Sequence, residues 1–380
     1  MRGDVIWNCL AWAVTPVHVG SGEPWTKQNY VVRDGRLCRF EPSAAVTRMH
    51  PAKRRDFAAA VDRGDLAAAT RLLQEAVPEE LLLERIPLGP GSGRDLRDAQ
   101  RDAKRLGEVM PMMRSGGRPF IPGSSIKGAI RTALLNAAVQ EKGPRHAPGR
   151  TDELQQWAFA YERGHTEQDP FRFLEVSDAP LPEGATRIDR VINWRPDGKD
   201  TATKIQIHVE RLLACADAPA KRFEVTIRID SGRLAAVSKH DARKAPHFDG
   251  LAPDRLVAAV NSFSWGRWKW EIDKFFDPWR QALEQLVRVR AGDKILESKD
   301  LVRHPRIMLL RVGRFTQFES KSVDGIRRGV IRLPKGETKH AAEGSTRNVV
   351  FLPPRGKRET ATIPVPMGWM LLFVREARNG

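Results

Sequence analysis

The sequence predicts an α+β protein of two ferredoxin-like units, with a helical insertion in the first. Three observations carry this. The stretch Val5-Ile-Trp-Asn-Cys-Leu-Ala-Trp-Ala-Val14 is short, rich in β-branched and aromatic residues, and stopped by Thr15-Pro16, the pattern of an opening strand. One amphipathic helix, opening near Ser124, is followed by several strand-like stretches, not by the one-to-one alternation of a parallel sheet. The second half then repeats the order strand, helix, strands, compatible with two β-α-β-β-α-β units, a fold shared with many RNA-binding modules. The expected division is residues 1–212, carrying the insertion at about 45–110, and residues 213–380.

Taken in order, Gly20-Ser21-Gly22 marks a turn after the opening strand. From Asp56 to Val77 an Ala- and Leu-rich run has helical spacing, broken only by Gly64, and a second helical stretch spans about Leu96 to Leu106. Gly89-Pro-Gly-Ser-Gly93 between them is a connector, because no Lys-Ser/Thr follows its last glycine as a phosphate loop requires. Pro122-Gly123 ends an extended stretch; Ser124 or Ser125 is expected to cap a helix whose buried stripe is Ile126, Ile130, Leu134 and Ala137. Strands are predicted at Phe171 to Val176, Arg187 to Trp194, Lys204 to Val209 and Arg222 to Ile229. A Trp-rich helix from about Asp254 to Val289, a strand at Arg306 to Val312 and a last strand at Trp369 to Val374 complete the chain. Trp265, Trp268, Trp270 and Trp279, with Phe275 and Phe276, are expected in a core or a subunit interface.

Composition narrows the function. The 380 residues are 41% hydrophobic and 29% charged, which excludes a disordered chain. Neither a run of apolar residues long enough to span a bilayer nor a leader pattern is present, and the expected location is the cytoplasm, with no membrane partner. Cys9, Cys38 and Cys215 form no CxxC or Cys/His cluster, so neither a disulfide framework nor a zinc site is indicated. A net charge of +17 points to a polyanion, foremost nucleic acid. Fourteen Lys or Arg against four acids between residues 301 and 358 place +10 of it there.

Two places suit phosphates. At the 124–131 helix start, free N–H groups, the positive end of the helix dipole and serine hydroxyls would meet Lys127 and Arg131, one turn apart on one face. The loop Gly313-Arg-Phe-Thr-Gln-Phe-Glu-Ser-Lys-Ser-Val-Asp-Gly325 offers Arg314 and Lys321 for phosphates and Phe315 and Phe318 for bases.

These residues carry a resemblance. Leu10-Ala-Trp-Ala-Val-Thr-Pro-Val-His-Val-Gly-Ser-Gly-Glu23 and Phe120-Ile-Pro-Gly-Ser-Ser-Ile-Lys-Gly-Ala-Ile-Arg131 resemble signature segments of the RAMP superfamily of CRISPR-associated proteins. Leu310-Arg-Val-Gly-Arg-Phe-Thr-Gln-Phe-Glu-Ser-Lys321 is similar to its late glycine-bearing loop, although no second glycine follows Gly313 before Gly325, and Phe173-Leu-Glu-Val-Ser-Asp178 matches a further strand end. Within that superfamily the likeness is to the subunits that cap type III-A Csm effector complexes. It implies two RRM-like domains, no catalysis, no cofactor or metal, contact with crRNA near its 3′ end, and support of crRNA 3′-end maturation in antiviral defence. The implied partners are crRNA, the other Csm subunits, target RNA and recruited host nucleases. The expected RNA contacts are His18, Gly20, Ser21, Gly22, Gly123, Ser124, Ser125, Lys127, Arg131, Arg314 and Lys321.

Two enzymatic readings compete. A metal-independent RAMP endoribonuclease processing repeat RNA would need His18 as its general base. A backbone subunit cutting target RNA would need an acid in the first loop region, where Glu23 and Asp34 instead suit surface carboxylates. His208-Val-Glu210 lacks the Pro-Cys-x-x-Cys partner of a zinc deaminase and is expected to be a pair of strand residues, while Asp178 is expected in a strand-ending turn.

Overall fold

The computed structural model describes residues 4–102, 104–195, 197, 207–215, 217, 221–230, 232–233, 248–291, 293–332, 338–353 and 362–379. Two five-stranded sheets form its frame. In the first, the order is Ile307–Arg311, Trp369–Asn379, Val5–Ala13, Arg222–Ile229, Leu174–Val176, every neighbour antiparallel. Alternation along the central strand drives its placement: Trp7, Cys9, Ala11 and Ala13 are buried, their neighbours only partly so. Against that face pack two long helices, Gly123–Lys142 through Ile126, Ile130 and Leu134, and Pro253–Phe275 through Leu256, Val257 and Val260. Helices gathered on one face of an antiparallel sheet are the arrangement of a ferredoxin-like unit. Asn261, inside the second helix, is satisfied by donating to Ile307 O at 2.7 Å and accepting from Leu309 N at 3.2 Å, which fixes the helix to the edge strand.

The second sheet has the order Ile363–Pro366, Arg347–Leu352, Thr186–Trp194, Ile207–Leu212, Val109–Met110. Its core is closed by the other half of the Pro253–Phe275 helix, where Trp265, Trp268, Ile272 and Phe275 meet Val191, Trp194, Val349 and Leu352. The tryptophan-rich stretch is therefore core, with Trp270 and Trp279 half-buried at its margin. The expected boundary at 212/213 falls between Ile207–Leu212 and Arg222–Ile229, and both sheets take strands from either side of it.

The region of the insertion expected at about 45–110 holds helices Pro42–Arg48, Pro51–Asp62, Leu66–Glu75 and Ser92–Arg101 and packs with a three-stranded sheet, two of whose strands, Tyr30–Arg33 and Arg36–Arg39, precede the expected start and the third of which is Glu84–Pro87. The run expected from Asp56 opens earlier because Pro51 sits at the first helical position, and Gly64, at φ +70°, separates two helices instead of interrupting one.

Three other expectations move for local reasons. The long Trp-rich helix ends at Phe275, since Pro278 blocks continuation, and Arg280–Leu286 is a separate helix. Only Leu174–Val176 of the strand expected from Phe171 is extended, because Pro170 and the Asp169 carboxylate, which accepts from Phe171 N at 3.0 Å, set a 3₁₀ turn before it. Ala137 is half-buried, and Ala133 and Ala138 fill the buried stripe. Positions 204–206 of the strand expected from Lys204 lie outside the described residues, as do parts of the basic run at 333–337 and 354–361.

Candidate nucleic-acid interface

The Thr15-Pro16-Val17-His18 loop leaves the central strand of the first sheet and is clasped by residues from the other end of the chain. Trp369 N donates to Thr15 Oγ1 at 3.0 Å, and Gly368 N donates to Pro16 O at 2.7 Å. Next to these, Arg314 N donates to His18 O at 2.9 Å. This approach needs Gly313: it stands at φ +105°, and a Cβ there would lie 2.3 Å from His18 O. The signature near residue 18 and the glycine loop near residue 313 thus form one structure.

His18 is 1% exposed, and its ring centroid lies 5.7 Å from that of Phe315. Its Nδ1 sits 2.6 Å from Glu210 O, a carbonyl that can only accept, so Nδ1 carries the proton. Burial is the main influence on the imidazole and holds its pKa below 6.5, against the opposing pull of Glu210. Gly20 passes over the ring, where a Cβ would stand 2.8 Å from Nε2. Beyond this packed base, Ser21, Gly22 and Arg314 are exposed, and the Arg314 guanidinium lies 5.9 Å from the Phe315 centroid. Phe315 itself is only 7% exposed, so it supports His18 and is not a stacking platform for bases, as the composition of the loop had suggested. Lys321 is exposed along the same loop; partial burial and nearby Arg311 lower its ammonium pKa.

Glu210 anchors the site from beneath. Its fully buried carboxylate accepts from Met112 N at 2.9 Å and Thr186 Oγ1 at 2.8 Å, and pairs with both Nη atoms of Arg114 at 2.5 and 2.8 Å. Arg114 is shared with Glu84 at 2.7 Å, which ties the insertion's sheet to the same point. His208-Val-Glu210 is thus a pair of strand residues with a structural carboxylate.

The helix start forms a second group. The expected serine cap is absent: Pro122 is the cap residue, and neither Ser124 nor Ser125 bonds the first turn through its side chain. Instead the Asp178 carboxylate accepts from Gly123 N at 2.8 Å, taking one of the donors a phosphate was expected to take. Gly123 is required there, because a Cβ would lie 2.1 Å from Val176 O. Ser124 remains exposed and Ser125 half-buried. Lys127 is half-buried, and burial together with the adjacent Arg131 lowers its pKa against the opposing pull of Asp169. Arg131 is committed within the chain: it pairs with Asp169 at 2.9 Å, donates to Gln155, and lies 4.5 Å from the Phe171 centroid. Glu23 and Asp34 are exposed surface carboxylates, and among the described residues no group of three or more His, Cys, Asp and Glu could hold a metal.

An antiparallel α+β frame with two long helices on one sheet, and a proline-histidine loop clasped by a late glycine loop, defines a class of two-sheet RRM-like proteins. Within it the chain belongs to the RAMP superfamily, whose family model matches residues 13–355. It is 27% identical over 218 residues to the CRISPR system Cms protein Csm5 of Mycobacterium tuberculosis (strain CDC 1551 / Oshkosh), covering 48% of this chain and 58% of that protein. It is 25% identical over 236 residues to Csm5 of Streptococcus thermophilus, covering 58% and 64%. The chain thus matches less than two thirds of the length of these curated relatives. Among solved structures, a chain of the cryo-EM Csm-crRNA-target RNA ternary complex of a type III-A CRISPR-Cas system aligns at TM-score 0.62 and 17% identity, over 98% of this chain and 100% of that one. The crystal structure of T. onnurineus Csm5 aligns at TM-score 0.51 and 16% identity, over 80% and 89%. At such identities the likeness establishes the fold. Among the described residues no helix is long and apolar enough to cross a membrane.

Proposed function

We propose that this chain is a non-catalytic, cytoplasmic, crRNA-binding subunit of a type III-A Csm effector ribonucleoprotein. It caps the complex at the crRNA 3′ end and supports 3′-end maturation by host nucleases, beside the other Csm subunits and target RNA. The observation that carries this is the clasp of the His18 loop by Gly313 and Arg314, which leaves Ser21, Gly22 and Arg314 exposed together on a rigid base. Arg314, Lys321 and Lys127 hold phosphates, while Gly20 and Gly123 allow close backbone packing, and Ser124 and Ser125 remain beside the helix start. Residues 1–212 and 213–380 act as two RAMP units that exchange strands across their boundary. The burial of His18 supports the non-catalytic reading, because a general base must reach the proton it removes.

The test is to purify the effector through a tag on another of its subunits, with this chain present or deleted, weigh the intact complex and sequence its RNA. One copy per complex, with crRNA 3′ ends lengthened or heterogeneous when the subunit is deleted, is the expected result. Many copies per complex, or cleavage of repeat RNA by the isolated chain in chelator that is lost in His18→Ala, would overturn it.

A further inference from the structure

In the insertion, a groove of about 630 Å³ opens between the helices Leu66–Glu75 and Ser92–Arg101, with Val31 and Val32 of an edge strand also lining it. Ala67 and Ala68 keep one wall low, so the long side chains around them set its chemistry. Arg71 stands on that wall; Arg97 and Arg101, one helical turn apart, stand on the other, and all three residues are exposed. None has an acidic partner among the described residues, whereas the fourth arginine of the groove, Arg33, is held by Glu79 at 2.9 Å. The groove's two acids stay negative, Asp65 while capping its helix by accepting from Ala68 N at 3.0 Å and Glu75 one turn on from Arg71, and the three guanidinium groups without an acidic partner outnumber them.

The walls are fixed from below. Gln74 donates to Lys27 O at 2.6 Å and Gln100 to Tyr30 O at 3.3 Å, so each helix is pinned to the same segment of backbone. Two like charges at i and i+4, such as Arg97 and Arg101, are unfavourable on an isolated helix face. Planar guanidinium forks around a concave surface match phosphate oxygens and concentrate positive potential.

We propose that this groove binds the phosphates of a single-stranded polynucleotide, a second RNA contact on the insertion, apart from the glycine loops. The proposal rests on the reading of the chain as an RNA-binding subunit and adds a site to it.

The experiment titrates the isolated full chain with a labelled single-stranded RNA of about 20 nucleotides over a range of salt, comparing wild type, Arg71→Gln/Arg97→Gln/Arg101→Gln and Lys127→Ala/Arg314→Ala/Lys321→Ala. The groove variant is expected to bind roughly tenfold or more weakly at 0.1 M salt, with a slope shallower by about 2, since each phosphate contact on a single strand contributes about 0.7. Circular-dichroism melting checks that both variants fold, and photocrosslinking of 4-thiouridine RNA to the wild type is expected to label residues 66–101. An unchanged groove variant beside a weakened loop variant overturns the groove alone; a weakened groove variant beside an unchanged loop variant overturns the loop contacts instead. Loss of binding to inorganic pyrophosphate or ATP without loss of RNA binding, or absence of crosslinks in 66–101, also overturns the polynucleotide assignment.

Discussion

Arg311 and Arg314 are three residues apart, yet they belong to opposite regimes. Arg311 and Arg347 lie inside the molecule, 8% and 0% exposed, around the equally buried carboxylate of Glu271 at 2.8 and 2.7 Å. Glu271 also accepts from Trp369 Nε1 at 2.9 Å, and Arg347 reaches Glu319 at 3.0 Å while its guanidinium lies 3.9 Å from the Phe275 centroid. Burial alone would raise the Glu319 carboxyl pKa, but Arg347 and a bond from Gly344 N outweigh it and hold the group below 4.5. Arg314 and Lys321, by contrast, face solvent with no acidic partner among the described residues. A run of basic residues is therefore not a measure of basic surface. Part of the +10 counted between 301 and 358 neutralises carboxylates under the Trp-rich helix and is out of reach of any polyanion.

The sharpest way to break the contrast is to remove a buried cation. Arg347→Ala takes the arginine partner from buried Glu319 and leaves Glu271 to Arg311 and Trp369 alone, and it is expected to destabilise the chain by about 3–5 kcal/mol, read from urea unfolding. A loss below about 1 kcal/mol would mean that the cluster is open to water. Gly313→Ala comes next: at φ +105° with His18 O in the way, it is expected to cost about 2 kcal/mol and to loosen the clasp, visible as faster amide exchange at Arg314. Amide exchange as slow as in the wild type would mean that Gly313 does not hold the His18 loop. The smallest effect on stability belongs to the exposed pair. Arg314→Ala/Lys321→Ala is expected to leave unfolding within about 0.5 kcal/mol of the wild type while weakening crRNA binding and flattening its salt dependence by about 1.4. A destabilised double variant would erase the distinction between the two sets.

What could be read from the sequence follows from the range of each interaction. β-Branched and aromatic content located Val5–Ala13 and alternation located Arg222–Ile229, because both are local patterns, whereas Thr186–Trp194 is buried on both faces and alternates less regularly. The glycines at 123 and 313 drew notice within their motifs, but the backbone each one accommodates, at Val176 and at His18, comes from another part of the chain. Asp178 as the helix cap was illegible for the same reason, since its partner at Gly123 is 55 positions away and a serine in the right place offered a nearer explanation. The exposure of Arg314 beside a buried Phe315 depends on where His18 stands, which no local composition records. Pro278, however, was a stop signal in plain sight within the expected long helix.

The pairing of Val5–Ala13 with Trp369–Asn379 has a consequence for biogenesis. Ala13 faces Met370 and Val5 faces Asn379, so one flank of the sheet's central strand meets its neighbour only after nearly everything between them has been synthesised. Until then the nascent polypeptide carries an open β edge bearing Trp7, Leu10 and Trp12, a template for promiscuous association. Arrival of the 369–379 segment seals that edge and joins Thr15 and Pro16 to Trp369 and Gly368, so completion of the sheet and locking of the His18 loop are a single late event.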